Sequence, residues 1–347
     1  MSIKQRPPRS RWHISVRALM VVTLVIGCLA GWLAHRIRTQ RQAIAALNAQ
    51  GARITLTHQK WTESSRPYGG SAHFDAEPPG PRWLRRWIGD ELFQSVGAVE
   101  MTGTQGNDIT PLAACDRLEY IELFLMPVPE GGFAVLHNLR HLKTVVVEGP
   151  AVTDSALADL ARVESIEDLK ICRSDASPKG WGHLADLRNL KTLQFNQARL
   201  DGATFERWSR GMPRLEQLDV GLQDGVSIGD AELIALARIN SLLHLGINGA
   251  RVTDAAMPAV ARMPHLVYLA LFTSPHLTDA GIAQLARSPS LERIHLYHAD
   301  RLTDAGLAHL ATAPKLTMLT LGHSQISPGG IEAFRRAAPQ IKLSIHK

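Results

Sequence analysis

The chain has 347 residues, of which 45% are hydrophobic and 20% charged, so its composition excludes an intrinsically disordered protein. Its three cysteines, Cys28, Cys115 and Cys172, are too few for a disulfide framework, and no CxxC pair exists to hold zinc or an iron–sulfur cluster. The formal net charge is +6, but residues 1–60 hold ten Lys or Arg and no Asp or Glu, so the remaining 287 residues sum to 6 − 10 = −4. This acidic remainder argues against a nucleic-acid partner.

The N-terminus has the pattern of a membrane anchor. A basic segment, residues 1–17, precedes an uncharged apolar run, residues 18–34, and Trp12 and Trp32 lie near the two ends of the run. A helix of this length spans roughly 25 Å, which is at the short end of what a bilayer core requires. We therefore predict a transmembrane helix at 18–34 and a single-pass membrane protein.

Two other interpretations of the apolar run remain open. A cleaved signal peptide would remove it, although no clear small-x-small cleavage site precedes a polar start. Residues 25–28 (Val-Ile-Gly-Cys) have the form of a lipobox, so lipidation at Cys28 is the second alternative. The residues after Cys28 stay apolar, where a lipoprotein normally turns polar.

Basic residues flank the run on both sides, with five before it and four within about twenty residues after it. The positive-inside rule therefore gives only a weak preference for an N-terminus in the cytoplasm. An uncleaved anchor near the start of a chain usually translocates the residues C-terminal to it. We therefore expect the C-terminal repeats on the non-cytoplasmic side.

The chain between the anchor and the repeats divides into three parts. Residues 35–60 predict a juxtamembrane helix and a short strand, and residues 61–81, rich in Ser, Gly and Pro, predict a linker. Residues 82–96 resume a helical pattern with Trp83 and Trp87 on its apolar side. We predict that this helix caps the apolar end of the repeats; a second membrane contact or stacking on RNA is the alternative.

From residue 118 the sequence repeats. Each unit opens with apolar residues at its positions 1, 4 and 6, and its second half has the form Leu-Thr-Asp-Ala-Gly-Leu, as in residues 302–307. The units begin at Leu118, Leu142, Ile166, Leu190, Leu215, Leu242, Leu266, Leu291 and Leu316, and a truncated unit begins at Ile341. We assign residues 82–117 to the N-terminal cap and a degenerate repeat, and residues 118–347 to the repeats.

The two halves of each unit predict a strand and a helix. The opening pattern alternates as a half-buried strand does, and Leu307, Leu310 and Ala311 give the stripe of a helix that packs back on it. No single unit can bury its apolar face, so the units must stack. The expected fold is α/β: a solenoid shaped as a horseshoe, with parallel strands on the concave face and helices outside, preceded by a transmembrane helix.

This repeat resembles the leucine-rich repeat family, in its variant with a Thr-Asp-x-Gly-Leu helix start. The Asn or Cys common at position 9 is absent, and small or hydroxyl residues such as Ala250 and Ser274 stand there, so we expect these to form the turn. The N-terminus, with Ile14 to Arg17, Gly31-Trp32 and an Arg-rich helix, is similar to planctomycete-type bacterial membrane-anchored repeat proteins. The resemblance implies a binding function and no particular ligand.

In such a horseshoe, positions 2, 3, 5, 7 and 8 of each unit face the concave side. The late units place aromatic, His and Arg residues there, which are typical anchors of protein interfaces. The predicted binding residues are Tyr268, Phe272, Arg293, His295, Tyr297, His298 and His323. The early units present a more acidic zone that includes Glu119 and Glu122. The predicted partner is a protein or peptide.

No catalytic motif and no cofactor motif is recognisable in the sequence. His298 and His323, at position 8 of adjacent units, should lie about one strand spacing apart, but no carboxylate or thiol accompanies them as a further metal ligand. Cys172 is expected to be an ordinary exposed thiol. Aspartates recur at helix starts, and we interpret them as stabilising helix dipoles rather than binding calcium; they are Asp154, Asp254, Asp279 and Asp304.

These features favour a membrane-anchored binding module that has no catalytic activity. Two alternatives are a structural component of the cell envelope, packed side by side, and a substrate-recognition subunit of a larger complex. The second would need an adaptor-binding domain, which residues 36–96 are too short to show.

Overall fold

The computed structural model describes residues 16–57, 78–88, 90, 94–103, 108–124, 132–149, 152–222 and 227–346. Within them, one sheet of twelve strands runs in chain order, with β1 antiparallel to β2 and all later neighbours parallel. The strands are β1 (Arg53–Leu56), β2 (Val96–Thr102), β3 (Tyr120–Phe124), β4 (Thr144–Glu148), β5 (Asp168–Cys172), β6 (Thr192–Ala198), β7 (Gln217–Leu222), β8 (His244–Asn248), β9 (Tyr268–Leu271), β10 (Arg293–Leu296), β11 (Met318–Gly322) and β12 (Lys342–His346).

Helices return the chain between successive parallel strands. The α-helices are α1 (Val16–Ala49), α2 (Arg82–Ile88), α3 (Asp154–Leu160), α4 (Pro178–His183), α5 (Gly202–Gly211), α6 (Asp230–Leu236), α7 (Met257–Ala261), α8 (Asp279–Leu285), α9 (Asp304–Leu310) and α10 (Pro328–Ala337). Short 3₁₀ helices take this place at Thr110–Ala114 and Ala134–Asn138, and one at Leu184–Asp186 extends α4. This architecture confirms the predicted α/β leucine-rich repeat solenoid.

The apolar positions of each unit form one continuous core. In the unit that begins at Leu291, the side chains at positions 1, 4 and 6 are at most 2% exposed, and Leu307 and Leu310 of α9 are buried against them. Thr303 caps α9 because its side chain accepts a hydrogen bond from the Ala305 N–H. The predicted strand, turn and helix of the repeat are therefore present as expected.

The aspartates at the helix starts connect neighbouring repeats. Asp279 accepts hydrogen bonds from the backbone N–H and the hydroxyl of Thr303, at 2.9 and 2.6 Å, although Thr303 lies one repeat further along the chain. The same pair of bonds joins Asp154 to Ser177, Asp230 to Thr253, Asp254 to Thr278 and Asp304 to Ser327. The aspartates thus satisfy the polar groups of the next turn, a role that the dipole interpretation did not include.

A single helix joins the apolar N-terminal run to the solenoid. The predicted span at 18–34 and the predicted juxtamembrane helix lie in one unbroken helix, α1. Residues 16–32 of this helix are all exposed. Its second part packs on the first repeat, where Ala43 and Leu47 are 4% and 0% exposed. Among the described residues, α1 is the one helix long and apolar enough to cross a membrane; a signal sequence near an N-terminus has the same length and composition.

The N-terminal end of the core is covered by α1 and β1. Leu47 belongs to the core cluster of the repeats, and β1 pairs with β2, with Arg53 opposite Glu100 at 3.1 Å. The tryptophans expected on the apolar side of a capping helix are exposed instead, at 70% for Trp83 and 90% for Trp87. Helix α2 is also shorter than predicted. Residues 61–77, which are most of the predicted linker, and nearly all of the basic segment lie outside the described residues.

Candidate concave binding surface

The strands place every second side chain in rows across the concave face. Parallel register aligns position 3 of each unit with position 3 of the next, so Tyr268, Arg293 and Met318 are neighbours in one row. The same register aligns Ala270, His295 and Thr320 in the row of position 5. Because neighbouring strands lie about 4.8 Å apart, side chains within a row are in contact.

The first ring cluster lies in and beside the row of position 3. The Tyr268 ring lies between the rings of His244 and His295, with centroid distances of 5.5 and 5.1 Å. The Arg293 guanidinium lies over the Tyr268 ring at 5.2 Å from its centroid, a favourable cation–π contact. Within the described residues, Arg293 has no carboxylate within 4 Å, so its charge is available to a ligand.

A second ring stack follows the row of position 7. Phe272 and Tyr297 stack at 5.6 Å and 12°, and Tyr297 stacks on His346 at 5.9 Å and 25°. Gly322 lies on the strand between Tyr297 and His346, and a Cβ there would overlap the Tyr297 ring. The missing side chain lets Tyr297 reach across β11. Phe272 is 41% exposed, which is unusual for a large apolar side chain on this sheet.

His298 and His323 form a third pair. Their rings stack at 4.5 Å and 3°, close to the predicted strand spacing. Both residues have a left-handed backbone, with φ of 51° and 49°, as do Arg173 and Gln197 at position 8 of their own units. The described residues contain no group of three His, Cys, Asp or Glu side chains that could hold a metal ion. The left-handed backbone belongs to the turn of the repeat.

Small residues stand at position 5 between the ring cluster and the earlier repeats. Gly246 and Ala270 occupy position 5 of two successive strands, between Asp219 on β7 and His295 on β10. Asp219 accepts hydrogen bonds from Gln194 at 3.0 Å and from Gln217 at 2.8 Å. Ala270 is 0% exposed, and a Cβ added at Gly246 would overlap the Asp219 carboxylate, so the strand backbone is covered here.

Desolvation makes the imidazoles of His244 and His295 weaker bases. Burial lowers the pKa of His295, and the Arg293 and His346 charges lower it further. Burial also lowers the pKa of His244, and Arg293 adds to the effect while Asp219 opposes it. The buried Nε2 atom of His295 has no hydrogen-bond partner among the described residues. At neutral pH this part of the concave face thus presents Arg293 as a fixed cation beside neutral imidazoles.

All seven predicted site residues lie on the concave surface, in these three clusters. Whether they bind a ligand stays a prediction. Sequence reasoning missed His244, Asp219 and Gly322, although they share positions 3, 5 and 7 with predicted residues. It also missed His346, which counts as position 6 of the last unit and aligns with position 7 only through its pairing with Gly322. Cys172, expected to be exposed, is only 8% exposed, and burial raises the pKa of its thiol.

The early repeats carry a different surface. Tyr120 donates a hydrogen bond to Glu122 at 2.6 Å, and burial together with this bond raises the pKa of the Tyr120 hydroxyl. Along position 2, Glu167 lies between Lys143 and Lys191, at 3.6 and 2.7 Å, and the bond from Lys191 lowers the pKa of Glu167. The charges here are paired with one another, in contrast to Arg293.

Solved structures share this fold at low sequence identity. One is the internalin inlF from Listeria monocytogenes, with 16% identity and a TM-score of 0.46 over 72% of this chain and 86% of the internalin. Another comes from the yeast complex of Rad7 and Elc1, with 13% identity and a TM-score of 0.47 over 94% of this chain and 92% of the other. No protein-family model and no curated protein matches the sequence. The class that the repeats define is a leucine-rich repeat solenoid with one apolar N-terminal helix.

Proposed function

We propose that this protein is a membrane-anchored binding module without catalytic activity, which holds a protein or peptide ligand on the concave face of its late repeats. The anchor is residues 18–34 of α1, retained in the mature protein, and the repeats lie on the non-cytoplasmic side. The resemblance to planctomycete-type anchored repeat proteins is part of this proposal.

One observation carries the binding proposal: the late concave face exposes rings and an uncompensated cation that the fold does not need. Phe272 is exposed, and Arg293 has no carboxylate partner among the described residues. The Nε2 atom of His295 is buried and has no hydrogen-bond partner among them. Unsatisfied buried polar atoms are rare in folded proteins. A peptide that lies along the rings could cover Phe272, pair with Arg293 and donate to His295.

Site-specific photocrosslinking in the native membrane tests this proposal. A photoreactive phenylalanine analogue at position 272 or 297 should give a discrete adduct, because both side chains would contact the ligand. The matched control is position 332, where Glu332 lies exposed on the outer helix α10. Equal crosslinking at all three positions, or none at 272 and 297, would contradict the assignment of the late concave face.

The intact mass of the protein from its membrane fraction tests the anchor. A mass that includes residues 18–34 supports a retained helix. A mass that begins at acylated Cys28 would show a lipoprotein instead, and one that begins beyond α1 would show a cleaved signal.

A further inference from the structure

Arginines recur along one long edge of the solenoid and aspartates along the other, although each edge also carries residues of the opposite charge, such as Glu164 and Lys179. At the helix-end edge, where the outer helices end and the strands begin, six successive repeats each contribute an exposed arginine. These are Arg140, Arg162, Arg188, Arg214, Arg238 and Arg262. At the helix-start edge, where strands end and helices begin, the repeats place aspartates such as Asp201, Asp230 and Asp254. Helix dipoles favour arginine near a helix end and aspartate near a helix start. Because the repeats stack, the arginines form one stripe along the solenoid and the aspartates form another.

Helix α1 leaves the solenoid at the arginine-rich helix-end edge. Arg36 pairs with Asp116 at 2.9 Å, and Asp116 lies just before β3 begins. At the other end of the packed part, Gln50 bonds the backbone of Asp108, which precedes the first 3₁₀ helix. These contacts make α1 antiparallel to the outer helices. Its apolar part, residues 18–34, therefore projects beyond the helix-end edge.

The end of the apolar run lies at the same height as this edge. Ala34 is two residues before Arg36, which is about 3 Å along a helix, and α1 is unbroken between them. The outer helices stack side by side with α1, so the axis of the solenoid runs across α1. With 18–34 in a bilayer, the helix-end edges of successive repeats would lie near the level of the lipid headgroups.

Among the described residues, two cavities open on the helix-end edge, and each is lined by arginines together with one carboxylate, Glu164 in the first and Asp186 in the second. The first, of about 430 Å³, is lined by residues that include Arg140 and Arg162. The second, of about 330 Å³, is lined by residues that include Arg188 and Arg210. Arg140 and Arg188 have no carboxylate within 4 Å in the part of the chain that the structure describes. Guanidinium groups suit phosphate because they can donate two parallel hydrogen bonds to it.

Helix α2 provides a further surface of the kind found at membrane interfaces. Trp83 and Trp87, four residues apart, lie on one face of the helix and are the most exposed tryptophans in the described residues. The chain from α2 continues to Gln94, whose carbonyl accepts a hydrogen bond from Gln40 near the helix-end edge. Tryptophan beside arginine is typical of segments that lie at the headgroup level.

We propose that the helix-end edge docks on the anionic phospholipid headgroups of the membrane that holds α1. This inference rests on the proposed function, because it requires the membrane anchor. The arginine stripe binds lipid phosphates, the two cavities accept individual headgroups, and Trp83 and Trp87 insert beside them. The solenoid is thus held to the bilayer along its length, in addition to the attachment through the membrane-spanning part of α1.

Quenching of a fluorescent label by headgroup spin-labelled lipids tests the docking. The full chain with Cys28→Ala is reconstituted in phosphatidylcholine vesicles with and without phosphatidylglycerol. The other two cysteines, Cys115 and Cys172, label poorly because they are buried and burial raises the pKa of their thiols. The label is attached after Arg188→Cys or Lys179→Cys, two exposed positions at opposite edges of one repeat. We expect severalfold stronger quenching at 188 than at 179 in the anionic vesicles.

Charge variants separate docking from anchoring. Arg287, exposed just after α8, lies at the same edge. Arg140→Gln, Arg262→Gln and Arg287→Gln together should weaken quenching at 188. The control triple Arg173→Gln, Arg251→Gln and Arg301→Gln, exposed at the helix-start edge, should not. Higher salt should weaken it too, because the attraction is screened. Equal quenching at 179 and 188 in vesicles that retain the chain under alkaline carbonate would overturn the docking alone. Release by carbonate would overturn the anchor and the docking together.

Discussion

At the scale of single residues, the Thr-Asp-Ala-Gly motif is explained by the contacts of its aspartate. Asp304 accepts two hydrogen bonds from Ser327 in the next repeat, and a Cβ added at Gly330 would overlap the Asp304 carboxylate. Gly180, Gly281 and Gly306 meet the aspartate of the preceding repeat in the same way. In these four units the glycine therefore makes room for the carboxylate of the unit before it.

The first prediction compares two adjacent glycines of α10. Gly330→Ala should destabilise the fold by about 1–3 kcal/mol, because the new methyl group displaces Asp304. Gly329→Ala meets only the Ser327 hydroxyl, at 3.7 Å, and should stabilise the helix by up to about 1 kcal/mol. Denaturant titration of both variants measures the difference. If the two variants are equally stable, the contact between Asp304 and Gly330 does not limit the packing.

The second prediction concerns the left-handed turn at position 8. His323→Gly should leave stability unchanged or raise it slightly, because glycine adopts a φ of 49° without strain. His323→Val should lower stability by about 1–3 kcal/mol, since a β-branched residue is disfavoured there. Thermal unfolding of the two variants tests this, and equal midpoints would show that the turn adapts to the side chain.

Motif reading located these residues but not their partners. The sequence places Thr303 and Asp304 at a helix start, which is correct, yet the carboxylate of Asp304 acts on Ser327, 23 residues later. A pattern along the chain gives positions within one unit. Contacts between units depend on how the units stack, and only the constant spacing hints at them.

At the scale of strands and rows, the late concave face combines neutral imidazoles with one fixed cation. His244 and His295 lie three and five positions into their units, on either side of Tyr268. Their pKa values are lowered mainly by burial, so the folded state favours their neutral forms. The stability that depends on these forms is present above the unfolded pKa of about 6.5 and is lost as the pH falls through the lower folded pKa.

The third prediction concerns the pH dependence that these lowered pKa values cause. Lowering the pH from 7.5 to 5 should reduce the stability of the late repeats, and His244→Gln with His295→Gln should flatten that dependence. Hydrogen exchange of β8 to β10 at several pH values measures it. His309→Gln, at an exposed position of α9, is the control and should keep the wild-type pH profile. An unchanged profile in the double variant would contradict the role assigned to the two imidazoles.

At the scale of the whole molecule, the solenoid is closed at its N-terminal end by α1, the helix that carries the apolar run. Leu47 of α1 is fully buried in the core of the repeats, and β1 adds an antiparallel strand to the sheet. A stack of repeats needs such an end because each unit contacts only its neighbours. Removal of the cap should therefore affect the first strands most.

The fourth prediction tests this cap. Leu47→Ala should cost about 2–5 kcal/mol locally, because it leaves a cavity beneath the first repeat. Hydrogen exchange should become faster in β1 and β2 and remain unchanged in β10 and β11. Asn48→Ala changes an exposed neighbour on the same helix and should have little effect. Uniformly faster exchange would indicate that the solenoid unfolds as one unit.

The repeats were predictable from sequence because period and polarity are local signals, and the structure confirms the solenoid from β3 onward. The origin of the cap was not predictable. Residues 82–96 have the more amphipathic pattern, yet Trp83 and Trp87 are exposed and α1 supplies the buried leucine. Likewise, the net charge of −4 after residue 60 does not reveal the arginine stripe at the helix-end edge or the aspartate stripe at the helix-start edge. Both features arise from the arrangement of elements in space.

The unbroken course of α1 also determines the direction in which the concave face opens. Because α1 lies along the strands and outer helices, an upright α1 would make every strand stand upright on the bilayer. The row of rings from His244 to His346 would then look sideways, parallel to the membrane plane. A ligand would arrive laterally, as a neighbour in the same membrane does, and would meet the rings at a height above the lipid that α1 sets.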